Sequence, residues 1–96
     1  MQIIQSKWQF DFSDKAQKQF NKLDQSTKIR IRDSMLKIIR SGQNPRTHAK
    51  QLAGTLKDLW SFRVGDYRIL TQIKDSQLII LAVHISHRRD VYDFNP

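Results

Sequence analysis

The sequence predicts a single α+β domain in which two helices pack on one face of a small, mainly antiparallel sheet, in the order β-α-α-β-β-β. Three observations predict this fold. The 96-residue chain has room for one hydrophobic core. Its first half contains two amphipathic helical patterns, and its second half changes to the two-residue period of strands. We therefore expect one domain over residues 1–96, with helices and strands in separate layers.

The N-terminal part of the chain combines a strand pattern with a short helix. Phe10 and Phe12 alternate with polar residues, the period of a half-buried strand, and Ser13 can cap a helix that follows. The next apolar residues recur at helical spacing. This pattern predicts a first helix of about three turns, with Ala16, Phe20 and Leu23 on its buried face.

A second apolar stripe predicts a longer helix over about residues 27–41. Ile31, Met35 and Ile38 share one face of it. Gly42 follows at the position where glycine commonly ends a helix. The two helices are expected to form an αα-hairpin.

The C-terminal half is predicted to contain a loop and three strands joined by tight turns. Residues 44–57 show no clear period and are expected to form a loop. From Leu59 the period becomes two, and Gly65-Asp66 is typical of a two-residue hairpin turn. A second such turn at Asp75-Ser76 leads to a nearly unbroken apolar run over 77–85, which indicates a strand buried on both faces.

The first hairpin determines which side chains lie opposite each other. With a two-residue turn at Gly65-Asp66, Arg63 pairs with Arg68, and both side chains emerge on the face away from the helices. Like charges directly opposite each other cost something like 0.2–1 kcal/mol. One interpretation is that the two side chains are solvated and splay apart. The other is that an anion such as a phosphodiester bridges them.

Composition indicates a polyanionic partner and excludes cysteine chemistry. The chain has 17 Lys and Arg against 9 Asp and Glu, a formal net charge of +8. Without cysteine it has no disulfide framework and no thiolate nucleophile. Nothing resembles a signal peptide or approaches 18 consecutive apolar residues, so we expect a cytoplasmic protein that does not act at a membrane. No cofactor and no metal are expected.

A cluster of reactive side chains follows the last predicted strand in the order His-Arg-Arg-Asp-Val-Tyr, over residues 87–92. An imidazole exchanges protons near neutral pH, a guanidinium neutralises a charged phosphorane, and a phenol positions a hydroxyl. These groups suffice for RNA cleavage, because the 2′-hydroxyl of RNA is itself the nucleophile. Tyr92 is equally compatible with packing on the sheet. His84 is expected to be packed and hydrogen-bonded, whereas His48 in the loop has no assignable partner.

Two stretches resemble the RelE/ParE toxin superfamily, and within it the RelE branch most closely. Residues 52–69 contain the pattern L-x-G-x-L-x-x-L-W-x-x-R-x-G-D-Y-R, and residues 87–92 read H-R-R-x-V-Y. The resemblance extends over nearly the whole chain, from Phe10 to Tyr92. It implies a RelE-like toxin of a bacterial toxin–antitoxin pair, an endoribonuclease that cuts mRNA in the ribosomal A site by metal-independent 2′-hydroxyl attack and stops translation.

The resemblance also implies site residues and partners. Its catalytic residues here would be Arg63, Arg68, His87, Arg89 and Tyr92. Its RNA-binding residues would be Lys50, Lys57, Ser61 and Arg88. In the ribosome-dependent toxin that this chain resembles, a lysine stands where this chain has Ser61, so the general base is left open. The implied partners are a cognate antitoxin, mRNA in the ribosome, and operator DNA only through the antitoxin complex.

Two other functions stay open on the sequence. One is a ParE-like toxin that inhibits DNA gyrase, and the other is a basic nucleic-acid-binding module without catalysis. The ParE branch generally lacks the arginine pair and the H-R-R-x-V-Y ending. Those two features therefore favour the ribonuclease.

Overall fold

The structure, a computed structural model, describes residues 8–89 as a five-stranded mixed sheet with two helices on one face. The sheet order is β1-β5-β4-β3-β2, where β1 runs parallel to β5 and the other neighbours are antiparallel. The helices are α1 (Asp14–Asn21) and α2 (Gln25–Arg40). The strands are β1 (Gln9–Phe12), β2 (Lys50–Gln51), β3 (Trp60–Val64), β4 (Tyr67–Lys74) and β5 (Ile79–His87). The predicted α+β class is confirmed.

The first helix begins as predicted and ends earlier. The Ser13 hydroxyl accepts a hydrogen bond from the backbone N–H of Ala16 at 3.2 Å, the contact expected of an N-cap serine. Ala16 and Phe20 are buried. The helix has 8 residues, about two turns rather than three, and Leu23 lies beyond its end.

The second helix begins two residues before the predicted start. Asp24 precedes it, and its carboxylate accepts hydrogen bonds from the hydroxyls of Ser26 and Thr27, which lower the pKa of Asp24. These side-chain contacts organise the first turn. Gly42 follows the helix with a φ of 75°, so its predicted role as the C′ residue is confirmed.

The core lies between the helices and one face of the sheet. Its members come from both helices and from three strands, and Phe62 is only 1% exposed. Burying one such side chain contributes roughly 1.5–3 kcal/mol. The buried cluster consists of Ala16, Phe20, Ile31, Met35, Phe62, Val64, Ile69, Ile80, Ala82 and Ile85.

The second turn and the loop differ from the sequence prediction. The turn after β4 spans residues 75–78, because the N–H groups of Gln77 and Leu78 bond back to the carbonyls of Lys74 and Asp75. β5 therefore runs over 79–87 and includes His87. The predicted loop contains the short strand β2 and two 3-10 turns, Pro45–His48 and Gly54–Leu56.

Neither helix within residues 8–89 has the length and apolar character needed to cross a bilayer.

Candidate active site

The hairpin between β3 and β4 places two arginines opposite each other, as the sequence predicts. Gly65, the first turn residue, has a φ of 58°, as in a type II′ turn. The register pairs Val64 with Tyr67 and Arg63 with Arg68. Since Phe62 and Val64 face the core, alternation places Arg63 on the opposite face, together with its partner Arg68.

Both guanidinium groups are available to a ligand. Arg63 is exposed, and half-buried Arg68 donates one hydrogen bond from Nη1 to the carbonyl of Tyr67 at 3.2 Å. Within residues 8–89 no carboxylate forms an ion pair with either side chain. The pair thus lacks an internal counter-charge in the described part of the chain.

A groove of about 690 Å³ lies over the arginine pair. Strands β3 and β4 contribute Ser61, Arg63 and Arg68 to it, and the segment 47–53 forms the other wall. Lys50 pairs with Ser61 across β2 and β3, so its side chain shares the groove face with Ser61. The lining residues include no Asp or Glu. We call this feature the basic groove, which has the charge and the donors to bind a phosphate group.

Ser86 on β5 lies beside Arg68, on the same face of the sheet as the two arginines. It pairs with Arg68, it is 8% exposed, and among residues 8–89 its hydroxyl has no hydrogen-bond partner. Buried polar groups are usually hydrogen-bonded. In the described part of the chain, an unused donor and acceptor therefore lies beside Arg68. The polar residue within the apolar last strand was the only sequence signal for it.

His87 lies on the opposite side of the sheet from the arginine pair. It pairs with Tyr67, and the two rings make an edge contact with centroids 5.5 Å apart. Because β5 extends through His87, strand alternation places Ser86, and not His87, beside Arg68. The Arg89 backbone N–H donates to His87 Nδ1 at 3.3 Å. The sequence prediction had grouped this imidazole with the arginines.

The remaining predicted site residues lie outside the basic groove or outside the described residues. The backbone N–H of Arg88 donates to the carbonyl of Asp66 at 2.6 Å, and its exposed side chain reaches the Asp66 carboxylate at 3.8 Å. Arg88 is thus attached to the hairpin turn next to the arginine pair. Arg89 follows it and is exposed. Lys57 does not line the groove, although its carbonyl accepts a hydrogen bond from Gln51 at 2.7 Å. Tyr92 lies outside the described residues.

The wall of the groove is fastened to the sheet by an arginine that the sequence did not single out. Arg46 forms two hydrogen bonds with the Asp75 carboxylate, at 2.9 and 2.7 Å, and its guanidinium lies 5.5 Å from the Trp60 ring centroid. The hydrogen bonds with Asp75 raise the pKa of Arg46 and lower that of Asp75. Asn44 caps the same turn by accepting from the Arg46 N–H at 3.0 Å. These contacts fix the position of the residues that follow, including His48 and Lys50.

A second cavity of about 710 Å³ lies between β1 and α2 and has a different character. Its lining is dominated by aromatic and aliphatic side chains such as Phe10, Phe12 and Met35, with Asp11 and Arg32 among them. It offers no concentration of cations. Within residues 8–89 no three His, Asp or Glu side chains are grouped to hold a metal ion.

Comparison with known proteins identifies the family. The family model described as the ParE toxin of the type II toxin–antitoxin system parDE matches residues 10–92. The toxin RelE of Mycobacterium tuberculosis is 38% identical over 53 residues, which are 55% of each chain. The chain thus spans about half the length of this curated relative.

Solved structures of RelE toxins share the fold. The RelBE2 toxin–antitoxin complex of Mycobacterium tuberculosis superposes with a TM-score of 0.65 at 25% identity, over 86% of this chain and 93% of that one. A mutant of Escherichia coli RelE in the free state superposes with a TM-score of 0.71 at 20% identity, over 88% of this chain and 87% of that one. The archaeal RelE–RelB complex of Pyrococcus horikoshii superposes with a TM-score of 0.65 at 18% identity, over 84% of this chain and 94% of that one. The chain therefore belongs to the ParE toxin family of type II toxin–antitoxin systems and has the fold of the RelE toxins.

Proposed function

We propose that this toxin is an endoribonuclease that cleaves mRNA, mainly on the ribosome, without a metal ion, and thereby stops translation. The observation that supports this proposal is the pairing of Arg63 with Arg68 beneath a groove lined by further basic side chains and by no carboxylate. Two guanidiniums held side by side match the oxygens of one phosphodiester. The bound anion also removes the repulsion between them.

The chemistry assigned to the groove uses the substrate's own nucleophile. The 2′-hydroxyl oxygen attacks the adjacent phosphorus, the bond from phosphorus to the 5′-oxygen breaks, and a 2′,3′-cyclic phosphate forms. Arg63 and Arg68 bind the non-bridging oxygens and stabilise the negative charge that develops on them. Lys50 adds a third cation in the groove. The fixed geometry holds the phosphate in line with its attacking hydroxyl.

The other predicted site residues are proposed to act at the end of the sheet. Arg88 is attached to the hairpin turn, so an RNA strand leaving the arginine pair in that direction meets it first. Arg89 supplies another cation there. We propose that His87 donates a proton to the leaving oxygen from this end of the sheet, and that Tyr92 supplies the active-site ring. Lys57 is proposed to bind the RNA backbone outside the groove.

The proposed partner is a cognate antitoxin that covers the basic groove. Several structures with the same fold are toxin–antitoxin complexes, including those from Escherichia coli and Methanococcus jannaschii. With a net charge of +8, the chain favours an acidic or amphipathic covering segment. Operator DNA would be bound through the complex.

A second candidate function is inhibition of DNA gyrase. The description of the matching family as the ParE toxin of parDE favours it. The same fold would then act by binding, without RNA chemistry, and the arginine pair would be dispensable. A nucleic-acid-binding module without catalysis is the third possibility, and the same experiment separates all three.

The test is cleavage of a defined mRNA on purified ribosomes, comparing wild type with Arg68→Ala. We expect the substitution to lower the cleavage rate by about 10²–10³-fold, because one charge-stabilising donor is lost. Thermal melting should be unchanged, since Arg68 faces away from the core. The matched control is Arg32→Ala, which removes the same charge beside the second cavity.

Equal cleavage by wild type and Arg68→Ala would contradict the assigned role of the pair. RNA left intact by the wild type, together with inhibited DNA supercoiling, would favour the gyrase inhibitor. Binding of RNA with neither effect would favour the non-catalytic module.

A further inference from the structure

His48 lies in the basic groove with the two arginines. It ends the turn Pro45–His48, two residues before Lys50, and lines the groove together with Arg63 and Arg68. The hydrogen-bonded ladder between β2 and β3 ends at the pair Lys50–Ser61. Two residues further along the same antiparallel register, His48 corresponds to Arg63. The side chain is exposed and therefore accessible to a ligand in the groove.

One hydrogen bond orients the imidazole ring. His48 Nε2 lies 3.1 Å from Gln43 Oε1. A glutamine oxygen only accepts, so the ring carries a proton on Nε2 and donates it. In the neutral ring, Nδ1 is then the free acceptor, and among residues 8–89 no group is hydrogen-bonded to it. This arrangement of a fixed tautomer with an open acceptor is what a general base requires.

The charged groups that line the groove around His48 are fixed cations, whereas His48 itself can exchange a proton. Lys50 faces it from β2, Arg63 from β3 and Arg68 from β4, and no carboxylate lines the groove. On its own turn, Arg46 is engaged by Asp75. Guanidinium and ammonium groups bind phosphate as fixed charges and do not readily exchange protons at neutral pH. The imidazole is the one side chain type in the lining that does so readily.

We propose that His48 is a catalytic residue, the general base of the RNA cleavage proposed above. Its Nδ1 accepts the proton of the 2′-hydroxyl while that oxygen forms its bond to phosphorus. The bond from phosphorus to the 5′-oxygen breaks, and the departing oxygen takes a proton from water or from an acid of the site. His48 therefore supplies the base that Ser61 cannot supply. This inference rests on the proposed function, because it assigns a residue to that reaction.

The experiment compares His48→Gln with wild type in single-turnover cleavage of ribosome-bound mRNA between pH 5.5 and 8. Glutamine keeps a polar side chain and removes proton exchange. We expect the rate to fall by about 10²-fold or more. The rise of the wild-type rate with pH should be lost, and the affinity for RNA should stay within twofold. His84→Asn is the control histidine substitution, since His84 contacts Gln19 of α1 rather than the groove.

A second variant separates catalysis from folding. In His48→Ala, added imidazole should restore part of the rate if only the proton acceptor is missing, whereas a distorted groove would not respond. A wild-type rate and pH profile in His48→Gln, with Arg68→Ala inactive, would overturn the role of His48 alone. A wild-type protein that leaves RNA intact would overturn the proposed function and this inference together.

Discussion

Arg63 and Arg68 occupy paired positions where uncharged or oppositely charged side chains would stabilise a sheet better. The neighbouring positions Phe62 and Ile69 are almost fully buried in the core. At these positions each strand of the hairpin thus places one side chain in the core and the next one in the groove. A substitution on one face should therefore affect mainly stability and a substitution on the other face mainly function.

His84 is the histidine whose environment has a direct effect on stability. Gln19 Oε1 accepts from the backbone N–H of Ile85 at 2.7 Å, so its Nε2 donates to His84 Nδ1, 3.1 Å away. A proton on Nδ1 would oppose this donor. Burial of the ring, followed by the charge of Lys15, lowers the pKa of His84. The prediction that His84 is packed and hydrogen-bonded is confirmed.

We expect His84 to make the folded protein less stable in acid. Its pKa is lower in the folded chain than in the unfolded chain, where it is near 6.5, so the unfolded state binds more protons below that pH. The free energy of unfolding should therefore fall as the pH drops from about 6.5 through the lower folded pKa. Urea unfolding at pH 7 and pH 5 measures this.

His84→Asn provides the comparison for that measurement. Asparagine offers Gln19 an acceptor oxygen and does not titrate. The His84→Asn variant should therefore lose less stability between pH 7 and pH 5 than the wild type. The carboxylates contribute equally to the loss of stability in both proteins, so the difference between the two losses is due to His84. The same loss in both would show that His84 does not couple to acid unfolding.

At the scale of elements, the β3–β4 hairpin carries the arginine pair because of its turn. Gly65 has a φ of 58°, and a Cβ added there would lie 2.9 Å from Nη1 of Arg30 on α2. A side chain at this position is disfavoured by the backbone, and Arg30 would have to move. The glycine thus helps to set the register on which the site depends.

We expect Gly65→Ala to lower the free energy of unfolding by about 1–2 kcal/mol. Chemical denaturation measures the change. Gly42→Ala is a matched control, since Gly42 also has a positive φ but no atoms near its added Cβ, and it lies outside the groove. Both variants should lose stability, and only Gly65→Ala should also lose cleavage activity. Wild-type stability in Gly65→Ala would refute the role of the turn.

The elements with a regular period were predictable from the sequence. The hairpin register followed from alternation and a two-residue turn, and the structure pairs Arg63 with Arg68 accordingly. The short strand β2 has only two residues and therefore no period to detect. The last strand was displaced by two residues, because the turn at 75–78 is longer than its local sequence indicates. The predicted strand ended at residue 85, so no face was predicted for His87, which the structure includes in β5 opposite Tyr67.

At the scale of the whole molecule, the basic groove is assembled by contacts that are distant in sequence. Arg46 reaches Asp75 and Trp60, and this fixes the wall that carries His48 and Lys50. No local pattern reveals such a contact, so the sequence placed His48 in a loop without a partner. The arginine pair was predictable because its partners lie five residues apart on one hairpin. The sequence therefore predicted the pairing of Arg63 with Arg68 and named Lys50, but it did not place His48 in the groove.

The two cavities differ in the charge of their linings. The basic groove and the apolar cavity between β1 and α2 have similar volumes, about 690 and 710 Å³. Only the first presents several cations with no carboxylate in its lining. A polyanion is thus directed to one of the two cavities, which is the face that carries the paired arginines.

In the proposed function, the paired arginines let this toxin cut translated RNA. The decisive measurement is primer extension on mRNA from cells, taken shortly after induction of wild type or of the Arg63→Ala and Arg68→Ala variants. We predict new 5′ ends inside translated codons with the wild type and none with either variant. Intact message in wild-type cells whose DNA has become relaxed or broken would contradict the proposed ribonuclease function.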